Sequence, residues 1–109
     1  MFEKNLNMGY LLDFYGEVLT DRKREVLDFY YNDDLSLAEI ATELGISRQG
    51  VRDIIKKAED ELVFLEEKLH LSEKFDSAQK SIERAKVIVS SLGNDELFAA
   101  LDAIASDLG

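Results

Sequence analysis

Apolar residues recur at helical spacing along almost the whole chain. Leu11, Phe14, Tyr15 and Val18 stand at positions i, i+3, i+4 and i+7, which place them on one face of an amphipathic helix. No segment alternates apolar and polar residues for long enough to predict a β-strand. The pattern therefore predicts an all-α fold.

Polar signals divide the first half of this pattern into separate helices. Thr20 before Asp21 is typical of an N-cap followed by an acidic first turn, and it predicts a helix over residues 21–31. Ser36 and Glu39 have the spacing of a capping box, which predicts a short helix over residues 37–44.

The next signals predict a tight connection between two helices. Gly45 follows the short helix at the position where a left-handed residue ends many helices. Ser47 can cap the following helix, whose apolar face begins with Val51 and Ile55. Residues 36–58 therefore have the pattern of a helix-turn-helix, the second helix of which fits the major groove of DNA.

A longer apolar seam follows, with the alternating spacing of helices that pack along one another. The seam changes phase after Leu69, so we expect a bend or break near residues 70–73. It can pack within the chain or against a second copy, and we favour a homodimer, because helix-turn-helix proteins often bind two half-sites of DNA. The seam consists of Leu62, Leu65, Leu69, Phe75, Ile82 and Val89.

The end of the chain predicts one further helix. Gly93, Asn94 and Asp95 end one helix and begin another, whose inward face would carry Leu97, Leu101, Ile104 and Leu108. We therefore expect a helix-turn-helix domain over residues 1–71. Residues 72–109 would form a C-terminal helical extension used for packing or dimerisation.

The net charge of the chain argues against binding to nucleic acid, but the distribution of charge along the chain does not. The 109 residues carry 13 Lys and Arg against 23 Asp and Glu, a net charge of −10, and an acidic surface repels phosphate. Residues 59–109 account for −7 of this charge, whereas residues 44–58 carry +3. Residues 22–24 form a second basic cluster. The candidate contacts to DNA are Ser47, Arg48, Gln49, Arg52, Lys56 and Lys57.

At these residues the chain resembles known proteins. The segment YYNDDLSLAEIATELGISRQGVRDIIKKAEDEL, residues 30–62, resembles region 4 of bacterial sigma factors. The closer resemblance is to the YlxM family of small bacterial proteins, and it runs from residue 7 to about residue 71. This resemblance implies a DNA-binding or regulatory protein. It also implies a part in the signal recognition particle pathway, because the family's genes lie beside that of the particle's GTPase.

Two functions other than DNA binding remain open. The same basic face could bind the protein or the RNA of the signal recognition particle, which would make the chain an adaptor. Alternatively, the long helix and the acidic C-terminal extension could form a structural interaction module for a basic partner. Helix-turn-helix folds support both, because a fold does not fix a function.

Other features are weaker candidates for chemistry. An aromatic run could stack on RNA bases, but its helical spacing favours core packing. It consists of Phe29, Tyr30 and Tyr31, together with Tyr10, Phe14 and Tyr15. The acidic residues at 59–61 and 66–67 could hold a metal ion or bind a basic partner, although a solvated flank of the seam explains them better. No carboxylate pair comes with a nucleophile or a glycine-rich phosphate loop, so we expect no enzyme. With no Cys and one His, we also expect no cofactor and no metal site.

Targeting signals are also absent from the pattern. Residues 1–6 lack a basic start followed by a long apolar run, and no stretch reaches the ~18 to 20 apolar residues of a membrane span. We therefore expect a cytoplasmic protein.

Overall fold

The computed structural model describes residues 6–109, Leu6 by its backbone alone. The expectation of no leader rests on residues 1–6, of which the structure describes only the backbone of Leu6. Every regular element between residues 6 and 109 is helical, so the predicted all-α class is confirmed. None of the described helices is long and apolar enough to cross a membrane.

Six α-helices follow one another along the described chain. They are α1 (Leu6–Tyr15), α2 (Asp21–Leu27), α3 (Leu37–Leu44), α4 (Arg48–Leu69), α5 (Leu71–Leu92) and α6 (Asp95–Leu108). A 3₁₀ turn over Gly16–Val18 links α1 to α2. A π-helical turn over Asp28–Asn32 continues α2, so the helix predicted over residues 21–31 changes its hydrogen-bonding type near its middle.

The short helix α3 has the predicted bounds and caps. The Ser36 hydroxyl accepts from the backbone N–H of Glu39 at 3.1 Å, and the Glu39 carboxylate accepts from the backbone N–H of Ser36 at 3.0 Å. Gly45 ends the helix in the left-handed conformation at φ 69°. The N–H of Ile46 donates to the carbonyl of Ala41 at 3.1 Å, which completes a Schellman-type ending.

The chain forms two compact units, Met1–His70 and Leu71–Gly109. The first unit is built around one apolar face of α4, against which α1, α2 and α3 pack. Val51, Ile55, Ala58 and Leu62 on that face are fully buried. The buried core also contains Leu12, Tyr15, Leu19, Val26, Leu27, Tyr30, Ile40 and Ala41.

The break that the sequence predicts in the apolar seam, where its phase changes, is confirmed by the backbone. Helix α4 ends at Leu69, and His70 adopts a left-handed conformation at φ 54°. The N–H of His70 donates to the carbonyl of Glu66 at 2.8 Å before α5 begins at Leu71.

The second unit is an antiparallel hairpin of α5 and α6. Lys86 on α5 pairs with Asp102 on α6 at 2.9 Å, and the Gln79 amide donates to the carbonyl of Ala105 at 3.5 Å. The ammonium group of Lys86 also lies 5.3 Å from the ring centroid of Phe98. Among the apolar side chains of this described unit, only Val89 is buried.

The expectation that α6 turns Leu97, Leu101, Ile104 and Leu108 inward is wrong for three of these four residues. Leu97, Ile104 and Leu108 are exposed, and Leu101 is half-buried. The residues that approach α5 instead include Phe98, Asp102 and Ala105. Two helices share one line of contact, which leaves the neighbouring apolar stripe of each helix uncovered.

Candidate nucleic-acid interface

The start of α4 is held in place by Ser47. Its hydroxyl oxygen accepts from the backbone N–H of Gly50 at 2.9 Å, which satisfies one of the free donors of the first turn. The hydroxyl hydrogen remains able to donate to a phosphate oxygen. The first turn of α4 contains no acidic residue, so its free N–H groups and positive dipole end suit an anion.

Helix α3 fixes the orientation of α4 from behind. Ile40 and Ala41 on α3 are buried in the same core cluster as Val51 and Ile55 on α4. Ala41 is small and lets the two helices approach closely, while Ile46 is half-buried in the turn between them. The two helices therefore form a rigid unit that presents the opposite side of α4 to solvent.

The exposed side of α4 carries the polar residues that the sequence singled out. Arg48, Gln49, Arg52, Lys56 and Lys57 are all exposed, together with Ser47. Helical spacing brings Arg48, Arg52 and Lys56 into successive turns along this side. We call these six residues the basic face.

Two members of the basic face are already paired along the helix. The Gln49 amide donates to Asp53 at 3.0 Å, and the Lys56 ammonium group donates to Asp60 at 2.9 Å. The hydrogen bond to Asp60 and the charge of Asp60 raise the pKa of Lys56 above its ordinary value. Within the described part of the chain no ion pair engages Arg48, Arg52 or Lys57.

The second basic cluster, at residues 22–24, is largely neutralised in the structure. Lys23 pairs with Glu61 of α4 at 3.0 Å, and Arg24 pairs with Asp21 at 3.3 Å. Arg22 remains exposed. The positive charge available to a polyanion is therefore concentrated on α4.

The interpretation of the acidic residues at 59–61 and 66–67 as a solvated flank is wrong for three of them. Glu59 accepts from the Tyr31 hydroxyl, Glu61 pairs with Lys23, and Glu66 accepts from the Tyr15 hydroxyl at 2.6 Å. Each bond ties the second half of α4 to an earlier segment of the unit. Sequence spacing gives no signal for these three bonds, because their partners lie 28, 38 and 51 positions away along the chain.

The aromatic run packs mainly into the core, as its helical spacing predicts. Tyr15 and Tyr30 are buried, and Phe14, Phe29 and Tyr31 are half-buried against the same cluster. Tyr10 is exposed, so the prediction of core packing is wrong for this residue. The rings of Tyr30 and Tyr31 meet edge to face at a centroid distance of 5.1 Å. These rings are not available as a platform for bases.

The six seam residues have different surroundings. Leu62 and Val89 are buried, each within its own unit, while Leu69 is exposed. Leu65, Phe75 and Ile82 are half-buried.

Among residues 6–109 no group of three His, Cys, Asp or Glu side chains could hold a metal ion.

Comparison with known proteins gives consistent matches. A family model described as "UPF0122: Putative helix-turn-helix protein, YlxM / p13 like" matches residues 2–97. UPF0122 proteins of Bacillus cereus strain AH187 and Bacillus anthracis strain A0248 are each 43% identical to the chain over 106 residues, which is 95% of this chain and 96% of theirs. The UPF0122 protein of Bacillus thuringiensis subsp. konkukian strain 97-27 matches to the same extent.

Proposed function

The chain belongs to this family of helix-turn-helix proteins, YlxM / p13 like, and from that premise we propose that it is a cytoplasmic, non-enzymatic DNA-binding regulator. The sequence resemblance at residues 7–71 is confirmed, and the family match continues to residue 97, through α5. The observation that carries the proposal is the basic face of α4, exposed on a helix that α3 holds rigidly.

The basic face suits the major groove. Ser47 and the first-turn N–H groups meet a phosphate, while Arg48 and Gln49 reach base edges near the start of the helix. Arg52, Lys56 and Lys57 follow the groove toward further phosphates. Asp53 and Asp60 lie on the same side and oppose phosphate, so each copy contacts only ~3 to 5 phosphates.

The test is retention of labelled genomic DNA fragments at ~50 mM salt, where phosphate contacts count most. A double variant with Arg48→Ala and Arg52→Ala removes the two unpaired arginines of the basic face. We expect its affinity for DNA to fall at least about tenfold. A matched variant with Lys68→Ala and Lys80→Ala changes the net charge equally, away from the basic face, and retains DNA. Wild-type protein that retains no DNA under these conditions overturns the proposal.

The same assay tests the role in the signal recognition particle pathway, which the family resemblance implies. The basic face can hold RNA phosphates as well as DNA phosphates, because both are polyanions. We include the particle's RNA and its GTPase as separate arms. Binding of either one that is lost in the arginine double variant, without any retention of DNA, identifies the adaptor instead of the DNA regulator.

We also propose that the regulator acts as a homodimer. A dimer places two basic faces on one duplex and doubles the phosphate contacts, which offsets the acidic net charge of the chain.

A further inference from the structure

The α5–α6 hairpin leaves too much apolar surface uncovered to be complete. It comprises Leu71–Gly109, and units below about 40 residues seldom bury enough apolar surface without help. Ile88 and Leu92 on α5 are 59% and 72% exposed. Leu97, Ile104 and Leu108 on α6 are exposed as well.

These exposed residues form regular stripes. On α5 the stripe has heptad-like spacing, and its first members are small enough to allow close helix packing: Ser81, Ala85, Ile88 and Leu92. On α6 the stripe is Leu97, Ile104 and Leu108. We call the two stripes together the outer apolar face.

Both stripes lie on the same side of the hairpin. Gln79, Lys86 and Val89 mark the side of α5 that faces α6, and Phe98 with Ala105 mark the opposing side of α6. Viewed down its own helix axis from the N-terminus, each stripe lies about a quarter turn away from that contact. The turn has the same rotational sense in both helices. Because the helices are antiparallel, these two displacements point to the same side. Val87, which is 71% exposed, faces the other way.

The charges on α5 and α6 indicate which helix of a second copy fits against the outer apolar face. Helix α6 carries four acidic residues and no basic residue, and only Asp102 is paired within the hairpin. Helix α5 carries four basic residues against three acidic ones. Arg84 lies at the outer edge of α5 without an ion pair, and Glu96 and Asp107 lie at the outer edge of α6. An α5 helix is therefore complementary to an α6 helix of another copy, whereas two α6 helices repel each other.

We propose that the outer apolar face is the interface with a second copy of the chain. The two hairpins close a four-helix bundle in which α5 of each copy lies antiparallel along α6 of the other. This buries Ile88, Leu92, Leu97, Ile104 and Leu108, and it places Arg84 along the same edge of the interface as Glu96 and Asp107 of the second copy. The inference gives the proposed homodimer its interface, and it is independent of whether the basic face binds DNA.

Neighbouring residues on opposite sides of α5 provide the first test. In sedimentation equilibrium at micromolar concentration, the full-length chain should have twice the monomer mass of 12.4 kDa. Ile88→Glu should raise the dissociation constant at least about a hundredfold, because it buries an unpaired carboxylate in each copy. Val87→Glu adds the same charge to the opposite side and should leave the dimer intact.

Circular dichroism confirms that both variants remain helical, which they should because both positions are exposed. A monomeric wild-type chain overturns the proposal, as does equal dissociation by the two variants. Retention of DNA by the same preparations is scored separately, so failure of the interface and failure of DNA binding are distinguishable.

A charge exchange then tests which helices face each other. Arg84→Glu should weaken self-association, and so should the double variant with Glu96→Arg and Asp107→Arg, because each creates like charges across the interface. An equimolar mixture of the two should dimerise as tightly as wild type, since α5 and α6 are complementary at both contacts of the mixed dimer. A mixture that associates no better than its components overturns the packing of α5 on α6.

Discussion

At the residue scale, glutamates on the second half of α4 bind the helices of the first unit together. Glu66 accepts a hydrogen bond from the Tyr15 hydroxyl at 2.6 Å, although the two residues lie 51 positions apart in the sequence. The side chain of Tyr15 is buried. A hydrogen bond to a charged acceptor contributes more to stability than one between neutral groups.

We expect Tyr15→Phe to lower the free energy of unfolding by about 1–2 kcal/mol. The ring keeps its packing, but the partly buried carboxylate loses a donor. Tyr10→Phe is the matched control, since Tyr10 is an exposed tyrosine of the same helix and its hydroxyl should contribute close to nothing. Denaturant titration of both variants gives the difference, and equal stabilities would contradict the contribution of the Tyr15 bond.

The capping box gives the stability of the chain a dependence on pH. Hydrogen bonds from the backbone and the side chain of Ser36 lower the pKa of Glu39 below 4.5. The lowered pKa means that this contribution is fully present above pH 4.5 and is lost as the pH falls through the folded-state pKa.

We expect Glu39→Gln to be less stable than wild type at neutral pH, and the difference to shrink in acid. Glutamine retains a neutral acceptor at the same position, so it resembles the protonated glutamate. Thermal unfolding of both proteins at pH 7 and near pH 3 measures the two differences. A difference that is the same at both pH values would show that the ionised carboxylate contributes nothing.

At the element scale, the turn between α3 and α4 depends on one backbone conformation. Gly45 has φ 69°, where an L-residue with a Cβ is strained even though the space around the added atom is open. Gly9 lies inside α1, and an added Cβ there also meets nothing within 4 Å. The two glycines therefore differ in backbone conformation and not in crowding.

The same substitution should have opposite effects at these two glycines. Gly45→Ala should destabilise the chain by about 1–2 kcal/mol, because it forces alanine into the left-handed region. Gly9→Ala should stabilise it by about 0.5–1 kcal/mol, because alanine loses less backbone entropy in a helix. Chemical denaturation measures both changes, and two shifts of the same sign would contradict the assignment of Gly45 to the turn.

The sequence predicts those elements whose signals are local. Ser36, Glu39 and Gly45 act on backbone groups within four residues, so the bounds of α3 follow from spacing alone. The partners of Glu59, Glu61 and Glu66 are distant in sequence, and only the packing of the helices brings them together. The exposed face of α6 was missed for a related reason: periodicity reveals an apolar stripe but not what covers it.

At the scale of the whole molecule, the net charge of −10 is the sum of regions of opposite charge. Among the described residues, Arg48 and Arg52 carry unpaired positive charge on the first turns of α4, where no acidic residue precedes them in the helix. Three glutamates of α4 are bonded within the first unit, to Tyr15, Lys23 and Tyr31. In the proposed dimer the acidic residues of α6 face α5 of a second copy, so a DNA-bound dimer would use both signs of charge.

The salt dependence of DNA binding joins the two proposals. One basic face contacting ~3 to 5 phosphates gives a slope of log affinity against log salt of about −3 to −4.5, and a dimer with both faces on one duplex about −6 to −9. Ile88→Glu should halve the slope because it separates the two faces, whereas Val87→Glu should leave it unchanged. Fluorescence anisotropy between ~50 and 200 mM salt measures all three proteins. If the wild-type slope is no steeper than that of Ile88→Glu, only one basic face binds each duplex.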